Sequence, residues 1–164
     1  MSIKAKFKWS KEIYKSAGEI TYKYMMKNSY KKYIGYLFIG LIVLGLFREI
    51  KFHDLSALYL GVILSVYWYY IRSFLYKKRL DKAYKKENMD GLDMQFTISK
   101  GGININGNMI PWNNISLAII EDRGIVLKRA QGYPFLPVEA FSSKKDIEQF
   151  IELLNTNNVK VVVI

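Results

Sequence analysis

The chain contains no cysteine and a single histidine, and its 14 acidic residues face 25 Lys and Arg. Without thiols there are no disulfides, no thiolate metal sites and no thiol catalysis. His53 is the sole imidazole and falls in a short polar link between two apolar runs. There it has no ready carboxylate partner for acid–base work, and it reads as a surface residue. Asp90 and Asp93 flank Gly91 without the further ligands of a calcium loop. Lys100-Gly101-Gly102 lacks phosphate-loop spacing and reads as a hairpin turn. With no carboxylate pair at catalytic spacing, the expectation is a non-enzymatic protein with no catalytic residues, no metal and no cofactor.

What is abundant is apolar and aromatic sequence: 51% of residues are hydrophobic and thirteen are Tyr. Two apolar runs, 33–47 and 55–76, are separated only by the polar link Arg48 to Asp54. This pattern reads as a membrane hairpin. The first run is shorter than the roughly 20 residues that span a hydrocarbon core. Lys31, Lys32, Arg48 and Lys51 extend it by reaching for headgroups with their stems in lipid, and Tyr30, Tyr33, Tyr36 and Phe52 widen its interfacial belt. The second run is long enough, carries Tyr67, Trp68, Tyr69 and Tyr70 as a matching band, and has Arg72 near one end, where an arginine snorkels. Gly35, Gly40 and Gly45 lie five residues apart, so they make neither one stripe nor a GxxxG motif. A homo-oligomer is compatible with this reading but not signalled by it.

The excess charge is concentrated beside the apolar runs. Residues 1–32 carry nine Lys against Glu12 and Glu19, and residues 77–86 carry six basic residues against Asp81. From residue 87 onward seven basic residues face nine acidic ones. Basic flanks stay on the cytoplasmic side, and the link is close to neutral, so both termini are expected in the cytoplasm, with two spans in a bacterial inner membrane. Lys31, Lys32, Lys77, Lys78 and Arg79 are the expected contacts with anionic headgroups, each worth about 1 kcal/mol near the surface. Juxtamembrane charge of this kind argues for a lipid bilayer as partner and against a polymeric nucleic acid. The first apolar run follows a long charged leader and no small-residue cleavage pattern follows it, so no secretory signal is expected.

Outside the hairpin the grammar is mixed. Ile3 to Trp9 alternates apolar and Lys residues, a short strand. Ser10 then caps an amphipathic basic helix with Ile13, Tyr14, Ala17, Ile20 and Tyr24 on one side, expected to lie along the membrane or run into the first span. Beyond the basic exit, Met94 to Ile98, Ile103 to Ile105, Ile115 to Ile120 and Ile125 to Arg129 read as strands. Turns fall at 100–102, 107–108 and 121–124, the last with Gly124 expected to tolerate positive φ. Tyr133 to Val138 holds prolines and reads as an edge or loop. Ser143 with Asp146 resembles a capping box opening a helix over 143–155. Val159 to Ile164 is either a last strand or a tail.

The fold class expected is therefore membrane α+β, a two-helix transmembrane hairpin followed by a small antiparallel β domain, a partial barrel, capped by a C-terminal helix. Its expected blocks are 1–32 for the strand and basic helix, 33–52 and 53–76 for the spans, 77–90 for the basic exit and 91–164 for a cytosolic β-rich domain.

The order Ile103-Asn104-Ile105, Ile110-Pro111-Trp112-Asn113-Asn114-Ile115, Ile125-Val126-Leu127 and Phe135-Leu136-Pro137 through Phe141, behind two spans and an aromatic basic leader, resembles the YcxB-like family of bacterial membrane proteins. The resemblance implies a pleckstrin-homology-like (PH-like) cytosolic domain and a membrane address, with no catalytic residues to carry over. About 75 residues follow Asp90, short for a full barrel of that kind; either the N-terminal strand completes the sheet or the barrel is partial.

Candidate ligand residues follow from charge and stacking. The stretch Lys128-Arg129-Ala130-Gln131-Gly132-Tyr133 joins two cations, a glycine and a ring, suited to an anionic small-molecule ligand. Arg123 sits in a charged turn, and Trp112 is either a ligand platform or a core anchor. Three functional readings follow. The first is a membrane-anchored protein whose cytosolic domain binds a partner, lipid headgroup or small ligand. The second is an oligomeric membrane effector of CRISPR-type antiphage signalling gated by an anionic cyclic nucleotide. The third is an immunity protein against a bacteriocin or toxin.

Overall fold

Alternation of apolar and polar residues, followed by uninterrupted apolar runs, produces two kinds of strand in this chain. The computed structural model describes residues 2–130 and 132–164. Met1 and Gln131, the latter within the expected ligand loop, lie outside them. The chain divides into two compact units: Met1–Tyr24 with Ala83–Ile164, and Met25–Lys82. The N-terminal strand and most of the basic helix thus belong with the β-rich unit.

In that unit β1 (Ile3–Lys8), β2 (Asp93–Ser99), β3 (Gly102–Ile105) and β4 (Asn108–Pro111) form an antiparallel four-stranded sheet in that order. β1 completes the sheet by pairing Ile3 with Ile98 and Lys8 with Asp93. The β3–β4 turn is Asn106-Gly107, with φ 47° and 91°, one residue earlier than the spacing suggested. Two positive-φ residues give the turn a twist that matches flanking strands. Asn106 also accepts from the Gln95 backbone at 2.8 Å.

The second sheet has order β7-β6-β5-β8, from β5 (Ile115–Glu121), β6 (Gly124–Arg129), β7 (Phe135–Pro137) and β8 (Lys160–Val163). The proline-bearing segment is an edge, as expected. β8 runs parallel to β5, so this sheet is mixed rather than antiparallel. The cause is α5 (Lys144–Thr156), which carries the chain back before β8. Its start is set by Ser143, whose hydroxyl accepts from the Asp146 backbone N–H at 3.2 Å.

Two apolar clusters hold the unit together, one on each face of this second sheet. On one face Ala118, Ile125, Leu127 and Leu136 meet Phe96, Ile98 and Ile103 of the first sheet and Phe150 and Leu154 of α5. On the other, Leu117, Ile119, Val126 and Phe135 meet Trp9 and Ile20, with Ile13, Tyr14, Ala17 and Tyr24 packed around them. The apolar side of α1 (Lys11–Asn28) is therefore spent on the sheet rather than along a membrane, while the alternative expectation, that it runs into the first apolar helix, agrees with α2 opening at Lys31. Burial of each such side chain stabilises by about 1.5–3 kcal/mol, and a solvated β5–β6 face would forgo that. Gly124 has no positive φ. Its role is close approach: a Cβ there would stand 2.5 Å from the Phe135 ring.

The other unit contains α2 (Lys31–Phe52) and α3 (Ser56–Val66), with a π-helical turn at Tyr67–Ile71 leading into α4 (Arg72–Glu87). Two helices, Lys31–Phe52 and Ser56–Glu87, are long and apolar enough to cross a membrane. Only 11% and 6% of their most apolar windows are buried within the protein. His53 ends α2 in a left-handed conformation, its N–H donating to the Glu49 carbonyl at 3.0 Å. The glycines work between helices rather than along one. A Cβ on Gly45 would meet the Leu58 backbone at 2.3 Å, and one on Gly61 the Ile42 backbone at 2.8 Å. Near the π turn Phe38 meets Trp68 edge-on, and the Arg72 guanidinium lies 4.1 Å from the Trp68 ring centroid.

Gly124→Ala is expected to destabilise the β-rich unit by about 1–3 kcal/mol, the usual cost of overpacking. Gly101→Ala, whose Cβ would make an ordinary 3.5 Å contact with Met109, serves as the near-neutral comparison. Denaturant unfolding of the two variants checks this; equal stability would contradict it.

Candidate anion-binding groove

The corner between the two sheets is built by Pro111 and Trp112. Trp112 is buried, packs against Phe150, and donates its indole N–H to the carbonyls of Ser99 and Lys100 at 3.2 and 3.0 Å. With its donor used and its ring in the core, Trp112 anchors the corner and does not line the groove. The one-turn 3-10 segment it opens, Trp112–Asn114, leaves Asn113 and Asn114 exposed.

β5 then begins with an irregularity. Ile115 pairs with Arg129 and Leu117 with Lys128, so Ser116 is an extra residue, a β-bulge. Regular alternation would send Lys128 and Arg129 to opposite faces. The extra residue lies on β5 and leaves the alternation of β6 unchanged; beside it, where β6 ends, both cations nevertheless line one groove with Asn113, Asn114 and Tyr133. The Ser116 hydroxyl donates to the Lys128 carbonyl at 3.2 Å, fixing the bulge. On the far side Arg129 donates its backbone N–H to the Gly132 carbonyl at 3.3 Å, and Gly132 takes φ 92°.

The groove is open to solvent, with a volume of about 660 Å³, and among the described residues its lining contains no carboxylate. Among the described residues no acidic group lies within ion-pairing distance of Lys128 or Arg129. Lys128 is exposed, whereas the Arg129 Nε is buried and has no hydrogen-bond partner. A buried guanidinium N–H without an acceptor is costly. By contrast, the depression beside α5 contains both Lys100 and Glu152, so it presents no field of one sign.

Arg123 lies at the opposite end of the β5–β6 hairpin and is not part of the groove. Its guanidinium donates to both oxygens of Glu121, at 2.8 and 3.0 Å, and to Glu19 of α1 at 2.9 Å. Lys23 adds a 3.4 Å contact to Glu121. These hydrogen bonds hold the Glu121 carboxyl below its ordinary range and raise Arg123, chiefly through the Arg123–Glu121 pair itself. The cluster clips α1 to the hairpin. Of the proposed headgroup contacts, Lys31 and Lys32 open α2 and Lys77, Lys78 and Arg79 lie in α4, all in the helical unit. Lys32, Lys77, Lys78 and Arg79 are exposed. The sequence reading missed Asn113 and Asn114 as groove residues, although the polar pair directly after a Trp anchor marks them.

A depressed Glu121 stabilises the fold above the ordinary Glu value near 4.5, and the contribution fades as pH falls through its lowered folded value. Arg123→Met is therefore expected to lower stability at pH 7 by a few tenths to about 1 kcal/mol, the scale of an exposed pair. The gap to the parent chain should close as pH drops below 4.5. Thermal melts across pH 3–7 test this, and a pH-independent gap would contradict it.

Comparison with curated proteins and with solved structures gives no match in either case. A family model does match. Residues 98–154, from the end of β2 into α5 and including every charged, amide and aromatic residue of the groove, match the YcxB-like protein family, the one that the sequence resembles.

Proposed function

We propose that this chain is a membrane-anchored, non-enzymatic binding protein. In this reading its β-rich, PH-like unit holds an anionic ligand between Lys128, Arg129, Asn113, Asn114 and Tyr133. The observation that carries the reading is the convergence of two uncompensated cations in a groove free of carboxylates. Catalysis has no part in it.

The anchor rests on the two apolar helices, whose exposed Leu37, Val43, Phe47, Leu60 and Ile63 have no protein surface covering them. Lipid is the solvent that removes the cost of that exposure. Because β1 pairs with β2 while residues 25–82 intervene, both ends of the inserted segment return to one sheet. A hairpin entering a bilayer would then leave both chain ends on the same side. The basic residues at that end of the hairpin, against the near-neutral link, favour the cytoplasmic face of a bacterial inner membrane. Lys31, Lys32, Lys77, Lys78 and Arg79 would meet anionic headgroups there.

A chain without cysteine is a ready background for topology labelling. In wall-stripped cells His53→Cys is expected to react with a membrane-impermeant maleimide, while Ser2→Cys and Lys160→Cys react only after lysis. The reverse pattern, or labelling of all three, would overturn the anchor. For the groove, the full chain in neutral-lipid nanodiscs should bind inorganic pyrophosphate saturably and less tightly at high salt. Arg129→Ala or Lys128→Ala should weaken binding about tenfold, the scale of one charge-assisted hydrogen bond. Absence of saturable binding, or affinity unchanged in both variants, would overturn the binding reading.

A further inference from the structure

We infer that the groove takes a nucleotide-class ligand, a phosphate ester bearing a planar ring, rather than a bare oxyanion. The inference rests on the anion-binding reading and adds the chemistry of the rest of the ligand. Three observations carry it.

The first is size. At about 660 Å³ the groove falls in the range of sites that enclose a whole organic ligand, roughly 300–1,000 Å³. A phosphate held by two cations fills only a small part of that space.

The second is the side-chain amides. Asn113 and Asn114 each offer a carbonyl acceptor as well as an NH₂ donor. For an oxyanion alone only donors are useful, and a carbonyl oxygen facing it is repulsive. A ligand edge with its own donors and acceptors uses both halves of the amide, as a nucleobase edge does.

The third is the ring. Tyr133 is 48% exposed and lines the groove with Met109 and Ile110. A half-open phenol ring beside apolar side chains is a stacking platform. Neither a free phosphate nor the phosphate of a phosphatidylglycerol headgroup has a π-face to place on it. Lys128 and Arg129 therefore hold the phosphate, Tyr133 carries the ring, and the two Asn residues read its edge.

The test compares probes on the full chain in neutral-lipid nanodiscs by calorimetry: pyrophosphate, adenosine diphosphate, guanosine diphosphate, ribose 5-phosphate and, separately, phosphatidylglycerol vesicles. At least one nucleoside diphosphate is expected to bind about tenfold or more tightly than pyrophosphate, the scale of one stacked base. Tyr133→Leu should cost the nucleotide about tenfold more affinity than it costs pyrophosphate, erasing that margin, and Tyr133→Phe should restore it. Equal affinity for pyrophosphate and both nucleotides would overturn the inference and leave the anion reading standing. A margin that survives Tyr133→Leu would overturn the assigned platform. Binding to the vesicles alone would point to a headgroup and overturn the nucleotide assignment. No binding to any probe would overturn both readings.

Discussion

The pairing of Ile3–Lys8 with Asp93–Ser99 is the constraint on which the rest of the molecule depends. It joins segments separated by the whole helical unit. Closing a loop of that length costs only modestly more than closing a shorter one, because the entropy grows with the logarithm of length. Burial repays it: Ala5 is fully buried, opposite Phe96, and also bridges to Phe141 ahead of α5. Through this pairing an insertion between two strands leaves the β-rich unit one compact body.

Everything that positions the groove follows from the second sheet being buried on both faces. One face is closed by α5 and the first sheet, the other by α1. A sheet held from both sides has little freedom to slip, since a one-residue shift would exchange the two apolar sets. The register is thereby fixed up to the point where Ser116 breaks it, and the break is where Lys128 and Arg129 come to line the same groove. The Arg123 cluster at the other end of the hairpin reinforces α1 against the sheet, so two charged features of one hairpin divide into a paired, structural end and an end that lines the groove.

Much of this was legible in the residues. Alternation marked β1, β2 and β3, apolar runs marked β5 and β6, the prolines marked the β7 segment as an edge or a loop, and Ser143 marked the start of α5. The groove was legible in part because Lys128, Arg129 and Tyr133 are near neighbours in sequence. What escaped depends on long-range placement. An apolar run does not say what covers its second face, so the docking of α1 was not visible. A glycine's spacing along its own helix does not reveal that Gly45 and Gly61 meet partners on the other helix. The parallel course of β8 follows from the return path of α5, and the π turn at Tyr67–Ile71 has no local signature in a uniformly aromatic stretch. Arg123 and Trp112 look like ligand residues by type; their partners, Glu121 and Glu19 for one and two backbone carbonyls for the other, become visible only in three dimensions.

The central claim is that the two strands flanking the helical insertion form one sheet in the stated register. The most direct measurement is disulfide trapping in native membranes of the cysteine-free chain. Lys6→Cys with Gln95→Cys, register partners in the structure, should cross-link under mild oxidation. Lys6→Cys with Thr97→Cys, displaced by two residues, should not, because diagonal positions lie beyond disulfide reach. Cross-linking of the displaced pair, or of neither, would contradict the account.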